Sequence, residues 1–117
     1  MQSVLYKNKS DISGDVPLLG KKIHFIGIGG IGMSGIASIL VDQGYVVSGS
    51  DMKESPVTRK LSGRGIKVFI GHSPAYLEDK DVVVYSSAIK EDNPELLAAR
   101  ENGLLILRRA QMLAKLM

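Results

Sequence analysis

The chain has 117 residues, 44% of them hydrophobic and 23% charged, a composition typical of one globular domain rather than of a disordered chain. The absence of cysteine excludes a disulfide framework, a zinc–thiolate site and a thiol nucleophile, and it suits a reducing cytoplasm. The net charge of +3 indicates a small anionic partner and is too weak to favour nucleic-acid binding.

Residues 1–20 are polar and show no periodicity, so we expect a flexible N-terminal segment there and one domain over residues 21–117. The first twenty residues hold no apolar run of the length that a signal peptide needs. The most apolar stretch, residues 23–33, is far shorter than a membrane span. We therefore expect a cytoplasmic protein with no membrane partner.

After residue 20 the sequence alternates between strand-like and helix-like segments. Strands are predicted at residues 23–26, 45–47, 68–70, 82–85 and 104–107, the second of them closed by residues 48–51. Helices are predicted over 33–44, after Ser55-Pro56, after Asn93-Pro94 and over 108–117. This alternation implies right-handed crossovers, so the predicted fold class is α/β: a Rossmann-like open parallel sheet of about five strands with helices on both faces.

Helical spacing also predicts which side chains face the core. Val57 and Leu61 are expected to point inward from the second helix, and residues 96–99 from the third, where Glu95 is expected to complement the helix dipole. On the last helix one face is predicted to carry Ala110, Leu113, Ala114 and Met117.

Residues 27–32 read GIGGIG and fit the pattern G-x-G-x-x-G between a predicted strand and a predicted helix, the setting in which this spacing has a mechanism. The first glycine permits a tight turn, the second lets the backbone approach a diphosphate, and the third brings helix against strand. Backbone amides and the helix dipole then face an anion, and Ser34 adds a hydroxyl donor. The alternative is that the glycines only allow a close turn.

Polar residues follow the other strands at the same edge of the sheet, where open α/β folds bind ligands. Asp51 stands 19 residues beyond Gly32, where dinucleotide-binding folds place a carboxylate that accepts ribose hydroxyls; a turn aspartate is the alternative. His72 follows the third strand and Ser86-Ser87 follows the fourth. Each either hydrogen-bonds a base or sugar or has only a structural role.

Five further residues near this edge are interpreted individually. His24 lies within the first strand and is expected to be structural, and Tyr85 and Ile89 stand where they can flank a base. Arg108 and Arg109 begin a helix, where cations are mildly unfavourable; a ligand phosphate or carboxylate explains them, and surface ion pairing is the alternative. The sequence shows no P-loop, metal-ligand cluster or nucleophile–base pattern, so we expect binding without catalytic or metal-ligating residues.

Taken in order, these segments resemble the N-terminal domain of the Mur ligase family over residues 22–117. The resemblance is carried by HFIGIGGIGMSG at 24–35, GSD at 49–51, GH at 71–72, SSAI at 86–89, DNPE at 92–95 and RAQML at 109–113. Glycine spacing alone also fits an NAD-binding Rossmann domain of an oxidoreductase or regulatory module. A scaffold without a ligand is the third hypothesis.

The resemblance implies a three-domain, ATP-dependent cytoplasmic ligase of peptidoglycan synthesis. In that family the N-terminal domain holds the UDP moiety of UDP-N-acetylmuramate, the central domain binds MgATP, and the C-terminal domain completes the site for L-alanine, which attacks an acyl phosphate. The chain is accordingly expected to be an isolated first domain that holds no cofactor, partners the two other domains and is inactive in ligation on its own.

The resemblance also implies a UDP site on this chain. The diphosphate is expected on the glycine loop, the ribose near Asp51 and the uracil near His72 and residues 86–89. The predicted binding residues are Gly29, Gly30, Ile31, Gly32, Met33, Ser34, Asp51, His72, Ser86, Ser87, Ala88 and Ile89. The resemblance leaves the proposed anion contact of Arg108 and Arg109 open.

Overall fold

The computed structural model describes residues 21–116, which form a single five-stranded parallel sheet covered on both faces. The strands are β1 (Lys22–Ile26), β2 (Val46–Asp51), β3 (Lys67–Ile70), β4 (Val82–Tyr85) and β5 (Leu105–Arg108). The helices are α1 (Met33–Asp42), α2 (Pro56–Gly63), α3 (Pro94–Glu101) and α4 (Arg109–Leu116), and a 3₁₀ helix covers Pro74–Leu77. The predicted fold class is confirmed, while the segment predicted at residues 1–20 lies outside the described residues.

The strand order is β3-β2-β1-β4-β5. Every neighbouring pair is parallel, so all five carboxyl ends lie at one edge. The order changes direction between β1 and β4, and the crevice at such a switch point is where open α/β sheets bind ligands. Among residues 21–116 no helix is long and apolar enough to cross a membrane.

The second strand is longer than its sequence predicts. Residues 48–51 were expected to close it, but they continue it, paired with β1 on one side and β3 on the other. Position 49 has no room for a side chain, because a Cβ built on Gly49 would lie 2.5 Å from Ile28 Cδ1. Serine and glycine have low strand propensity, so the demand for space outweighs propensity in this central strand.

The helix ends follow their predicted signals. Ser55 Oγ accepts from the Thr58 amide and Pro56 is the first residue of α2, while Asn93 Oδ1 accepts from the Glu95 amide at 2.8 Å. Gly44 adopts φ +92 just beyond α1, in the left-handed conformation that a helix C-terminus favours in glycine.

Two apolar clusters form the core, one on each face of the sheet. One face packs against α1, α2 and α4 with Phe25, Ile36 and Leu61 at its centre, and the other packs against α3 and the 3₁₀ helix around Val83 and Leu96. Burial on both faces explains why the strands read as continuous apolar runs rather than as alternating ones.

Several predicted inward positions are wrong. Val57 is 40% exposed and Leu97 is 45% exposed, and the inward position on α2 is taken by Thr58, whose hydroxyl donates to the Ser55 carbonyl. On α4 the predicted positions 110, 113 and 114 are wrong as well, because these residues are exposed whereas Met112 is buried; Met117, the fourth residue of that face, lies outside the described residues. Each of these helices has eight residues, so few side chains per helix reach the sheet and a small rotation changes which ones do.

Candidate functional site

The glycine loop, residues 27–32, connects β1 to α1 at the carboxyl edge and is fixed to the end of β2. The amides of Gly27 and Ile28 both donate to the Ser50 carbonyl, at 2.8 and 2.9 Å. The Gly29 amide donates to Asp51 Oδ2 at 2.8 Å. These three bonds hold the first half of the loop before any ligand arrives.

The second half of the loop presents unpaired amides. Within residues 21–116 the backbone N–H groups of Ile31, Gly32 and Ser34 donate to no protein group. Gly32 is the N-cap of α1, so no side chain caps the helix, and its first turn holds no acidic residue. The Ile31 side chain is fully exposed. Free N–H groups at the positive end of a helix dipole form an anion-binding site.

Three of the predicted phosphate donors are already engaged. Besides Gly29, the Gly30 amide donates to the Gly27 carbonyl and the Met33 amide donates to the Gly30 carbonyl, both at 3.0 Å. The Met33 side chain is buried in the core. Of the six predicted donors, the amides of Ile31, Gly32 and Ser34 are the three that remain available to an anion.

Arg109 brings a positive charge to the loop. A Cβ built on Gly32 would lie 3.1 Å from both Cδ and Nη1 of Arg109, so the half-buried arginine packs directly against this glycine. Arg108 lies elsewhere, with its guanidinium 5.6 Å from the centroid of the Tyr85 ring and its side chain exposed. The two arginines are therefore not equivalent at this edge.

Asp51 lies beside the loop at the end of β2. Its Oδ2 accepts from Gly29, whereas its Oδ1 has a long 3.4 Å contact with the Lys53 amide. One carboxylate oxygen thus shapes the loop and the other retains capacity to accept a hydrogen bond.

Residues 86–89 form a turn on the other side of the crevice. Ser86 Oγ accepts from the Ala88 amide at 3.3 Å, and the Ile89 amide donates to the Ser86 carbonyl at 3.0 Å. Ile89 Cδ1 lies 3.2 Å from the position of a Cβ on Gly27. The turn thus brings apolar Ile89 next to the glycine loop, while Ser87 is exposed to solvent.

A buried carboxylate joins the two histidines of the chain. Glu95 is fully buried, and its Oε1 lies 2.7 Å from His24 Nε2 and 2.9 Å from Ser50 Oγ. Its Oε2 lies 2.5 Å from His72 Nδ1, and His24 Nδ1 lies 2.8 Å from Ser48 Oγ. We call Glu95, His24, Ser50 and His72 the Glu95 cluster. It connects the interior of the sheet to His72 at its carboxyl edge.

The pKa of Glu95 is held below its ordinary value of 4.5. Burial raises the pKa of this carboxyl, but the hydrogen bonds from His24 and Ser50, the attraction to His24 and the hydrogen bond from His72 together outweigh burial. Glu95 is therefore a carboxylate in the folded protein.

Because the folded pKa of Glu95 is lowered, its contribution to stability is complete above about pH 4.5 and is lost as the pH falls through the folded pKa. Urea unfolding at steps from pH 7 to pH 3 is expected to show a steeper loss of unfolding free energy in the wild type than in Glu95→Gln. Asp79→Asn should retain the wild-type slope, since Asp79 is exposed and solvent screens its charge. Identical pH slopes for wild type and Glu95→Gln would contradict the assignment.

The Glu95 cluster was not predicted from the sequence. Glu95 lies in the first turn of α3, as predicted, but its side chain enters the core rather than only complementing the dipole. His24 is buried, as predicted. The available signal was register: parallel pairing places His24 beside Ser48 and Ile26 beside Ser50. A strand face that carries histidine and two serines requires a polar partner, because buried polar groups are hydrogen-bonded.

The model of the "Mur ligase family, catalytic domain" matches residues 22–117. The chain belongs to the Mur ligase family. This confirms the family that the sequence motifs indicated.

Two curated relatives in this family are UDP-N-acetylmuramate–L-alanine ligases. The one from Sulfurihydrogenibium sp. is 57% identical over 97 residues, which cover 83% of this chain and 21% of the relative. The one from Xanthobacter autotrophicus is 61% identical over 95 residues, which cover 81% of this chain and 20% of the relative. The chain thus spans about a fifth of the length of these Mur ligases.

Solved structures agree with the family assignment. The UDP-N-acetylmuramate-alanine ligase MurC of Thermotoga maritima matches with a TM-score of 0.76 and 40% identity, over 80% of this chain and 22% of that one. The UDP-N-acetylmuramate:L-alanyl-gamma-D-glutamyl-meso-diaminopimelate ligase (MPL) from Neisseria meningitides matches with a TM-score of 0.74 and 36% identity, over 81% of this chain and 30% of that one. Shikimate dehydrogenase from Aquifex aeolicus matches with a TM-score of 0.53 and 22% identity, over 80% of this chain and 44% of that one. This likeness shows a shared fold alone.

Proposed function

We propose that this chain is the UDP-binding N-terminal domain of a Mur ligase that adds L-alanine to UDP-N-acetylmuramate in peptidoglycan synthesis. The observation that carries the proposal is the packing of Arg109 against Gly32, beside the unpaired amides of Ile31, Gly32 and Ser34. The names of the relatives that are 57% and 61% identical support the choice of substrate.

The diphosphate is the part of the ligand that this geometry fits best. Three backbone donors, the positive end of α1 and one guanidinium lie together at the start of α1. They can replace the water that an anion loses when it binds there. Each hydrogen bond to a charged group contributes about 1.5–3 kcal/mol. A guanidinium adds directional donors that match phosphate oxygens.

The nucleoside is proposed to lie across the ends of β2, β3 and β4. Asp51 Oδ1 accepts a ribose hydroxyl, and the uracil lies between His72 and residues 86–89. Ile89 supplies apolar contact, and Ser86 and Ser87 supply polar contact. Tyr85, which the sequence also placed where it can flank a base, is buried in the core beneath Arg108. The muramoyl end then points outward from the sheet edge, so that binding energy at the nucleotide positions a distant carboxyl group.

The rest of the reaction is proposed to use other domains of the parent ligase. Residues 21–116 contain no group of three or more side chains that could hold a metal ion. We assign ATP and Mg²⁺ to the central domain and the completion of the amino-acid site to the C-terminal domain, as the family resemblance implies. The proposed location is the cytoplasm, and the proposed role of this domain is to bind and orient the nucleotide.

Calorimetric titration of the 117-residue chain with UDP, UDP-N-acetylmuramate and NAD tests this proposal. We expect both uridine nucleotides to bind and NAD to bind at least about tenfold more weakly, because NAD lacks the uracil that the proposed base site binds and the loss of a single hydrogen bond to the base costs roughly a factor of ten in affinity. Preferential binding of NAD would assign the chain to the dinucleotide-binding alternative. Absence of heat with all three would favour a scaffold, and either result would overturn the proposal.

A further inference from the structure

The ring of His72 is held at the sheet edge by a carboxylate that no ligand can touch. Glu95 is fully buried, whereas the His72 side chain is 13% exposed. His72 follows β3 and Glu95 lies on α3, so the contact joins two separate elements at 2.5 Å. Glu95 therefore acts on the edge only through this histidine.

The cluster fixes which ring nitrogens carry hydrogen. An ionised carboxylate only accepts hydrogen bonds, so every group in contact with Glu95 must donate to it. His24 donates through Nε2–H, Ser50 through its hydroxyl and His72 through Nδ1–H. Because the Ser50 hydroxyl is committed to Glu95, its oxygen can only accept from His72 Nδ1, which lies 3.1 Å away.

When both rings are neutral, the two histidines therefore carry opposite tautomers. His24 then has its hydrogen on Nε2, and its Nδ1 accepts from the Ser48 hydroxyl at 2.8 Å. His72 is protonated on Nδ1, and within residues 21–116 its Nε2 makes no hydrogen bond. One buried carboxylate sets both rings.

We propose that Glu95 is a positioning residue that fixes the orientation and tautomer of His72, so that His72 Nε2 accepts a hydrogen bond from a donor of the bound uridine nucleotide. The donor is the N3–H of uracil or a ribose hydroxyl, since these are the N–H and O–H groups that the uridine offers to an acceptor nitrogen. This inference rests on the proposed function.

A purely structural role does not explain the arrangement as well. Buried charged groups are on average no more stabilising than well-packed apolar side chains of similar volume. Here three donors from β1, β2 and the segment after β3 converge on one carboxylate, and the last of them ends at the ligand-binding edge. Histidines that bind ligands or metals are commonly oriented in this way by a carboxylate on the other ring nitrogen.

Nitrogen-15 NMR of the imidazole rings tests the tautomers directly, because the chain holds two histidines and His72→Gln identifies the signals of His24. In the neutral rings we expect the hydrogen of His72 on Nδ1 and that of His24 on Nε2. In Glu95→Gln the amide oxygen takes the place of Oε1, where two donors converge, and the amide nitrogen faces His72. We expect the hydrogen of His72 to move to Nε2.

The same variant is expected to bind UDP about tenfold more weakly, the lower end of the effect of removing the partner of an oriented histidine. Ser48→Ala is the matched control: it removes a buried hydroxyl from His24 and should change the His24 signals while leaving the His72 tautomer and UDP affinity as in the wild type. Titrations with N3-methyl-UDP and 2′-deoxy-UDP separate the two donors. The analogue that lacks the donor loses affinity for the wild type but shows no such loss with Glu95→Gln.

Each outcome decides the inference. Hydrogen on His72 Nε2 in the wild type overturns it, as does a switched tautomer in Glu95→Gln with unchanged UDP affinity. It is also overturned if neither analogue shows a loss that depends on Glu95. Absence of UDP binding by the wild type would refute the proposed function, and the NMR tautomers would still show whether Glu95 sets the His72 ring.

Discussion

Replacing Arg109 by glutamine is expected to weaken UDP binding by about 10- to 100-fold. Arg109 packs against Gly32, next to the unpaired amides of the glycine loop. Its loss removes a charge-assisted contact worth about 1.5–3 kcal/mol, and 1.4 kcal/mol corresponds to a tenfold change in affinity. Calorimetry would measure the affinity, and the thermal unfolding midpoint would show that the domain remains folded.

The neighbouring arginine provides the control. Arg108→Gln removes the same charge one residue away, but Arg108 lies over the Tyr85 ring rather than against the glycine loop. We expect its UDP affinity to stay within about threefold of the wild type, since an exposed charge is screened. Equal losses in the two variants would mean that net charge alone attracts the nucleotide and would refute a direct Arg109 contact.

Replacing Gly49 by alanine is expected to lower the free energy of unfolding by about 1–3 kcal/mol, the usual cost of overpacking a core. The new Cβ would lie 2.5 Å from Cδ1 and 2.6 Å from Cβ of Ile28. A different rotamer cannot remove the second contact, and the Ile28 amide is bonded to the Ser50 carbonyl. The strand or the glycine loop must therefore shift. Urea unfolding monitored by circular dichroism would measure the effect.

Gly35→Ala is the matched substitution for this experiment. Gly35 lies in α1, is exposed, and a Cβ built there would meet nothing within 4 Å. Alanine is the better helix former by about 0.8–1 kcal/mol, so this variant should be at least as stable as the wild type. If Gly49→Ala were as stable as Gly35→Ala, the close packing of Ile28 over β2 would not limit that position.

The features that the sequence predicted well depend on neighbouring residues. Ser55-Pro56 and Asn93-Pro94 start helices because their side chains bond amides two or three positions away. The β-branched run of β4 predicts a buried strand, and all four of its residues are buried. Placement of the glycine loop and Asp51 at one edge also followed from sequence, since parallel topology brings all carboxyl ends together.

What the sequence did not predict depends on contacts between distant elements. The end of β2 was missed because Ile28 packing, not strand propensity, selects Gly49. Helical periodicity selected the wrong face of α4, where Met112 rather than Leu113 is buried. Which of two adjacent arginines meets the free loop amides is decided only when α4 packs against the start of α1.

The Glu95 cluster also has a consequence for how the chain folds. His24 and Glu95 are 71 residues apart, and the cluster needs β1, β2, the segment after β3 and α3 at the same time. Closing so long a loop costs entropy that only the complete set of contacts offsets. A nascent chain that has not yet reached residue 95 lacks the carboxylate on which His24, Ser50 and His72 converge, so we expect its first three strands to be less stable than the finished sheet. The domain is therefore expected to fold cooperatively, after nearly all of it has been synthesised.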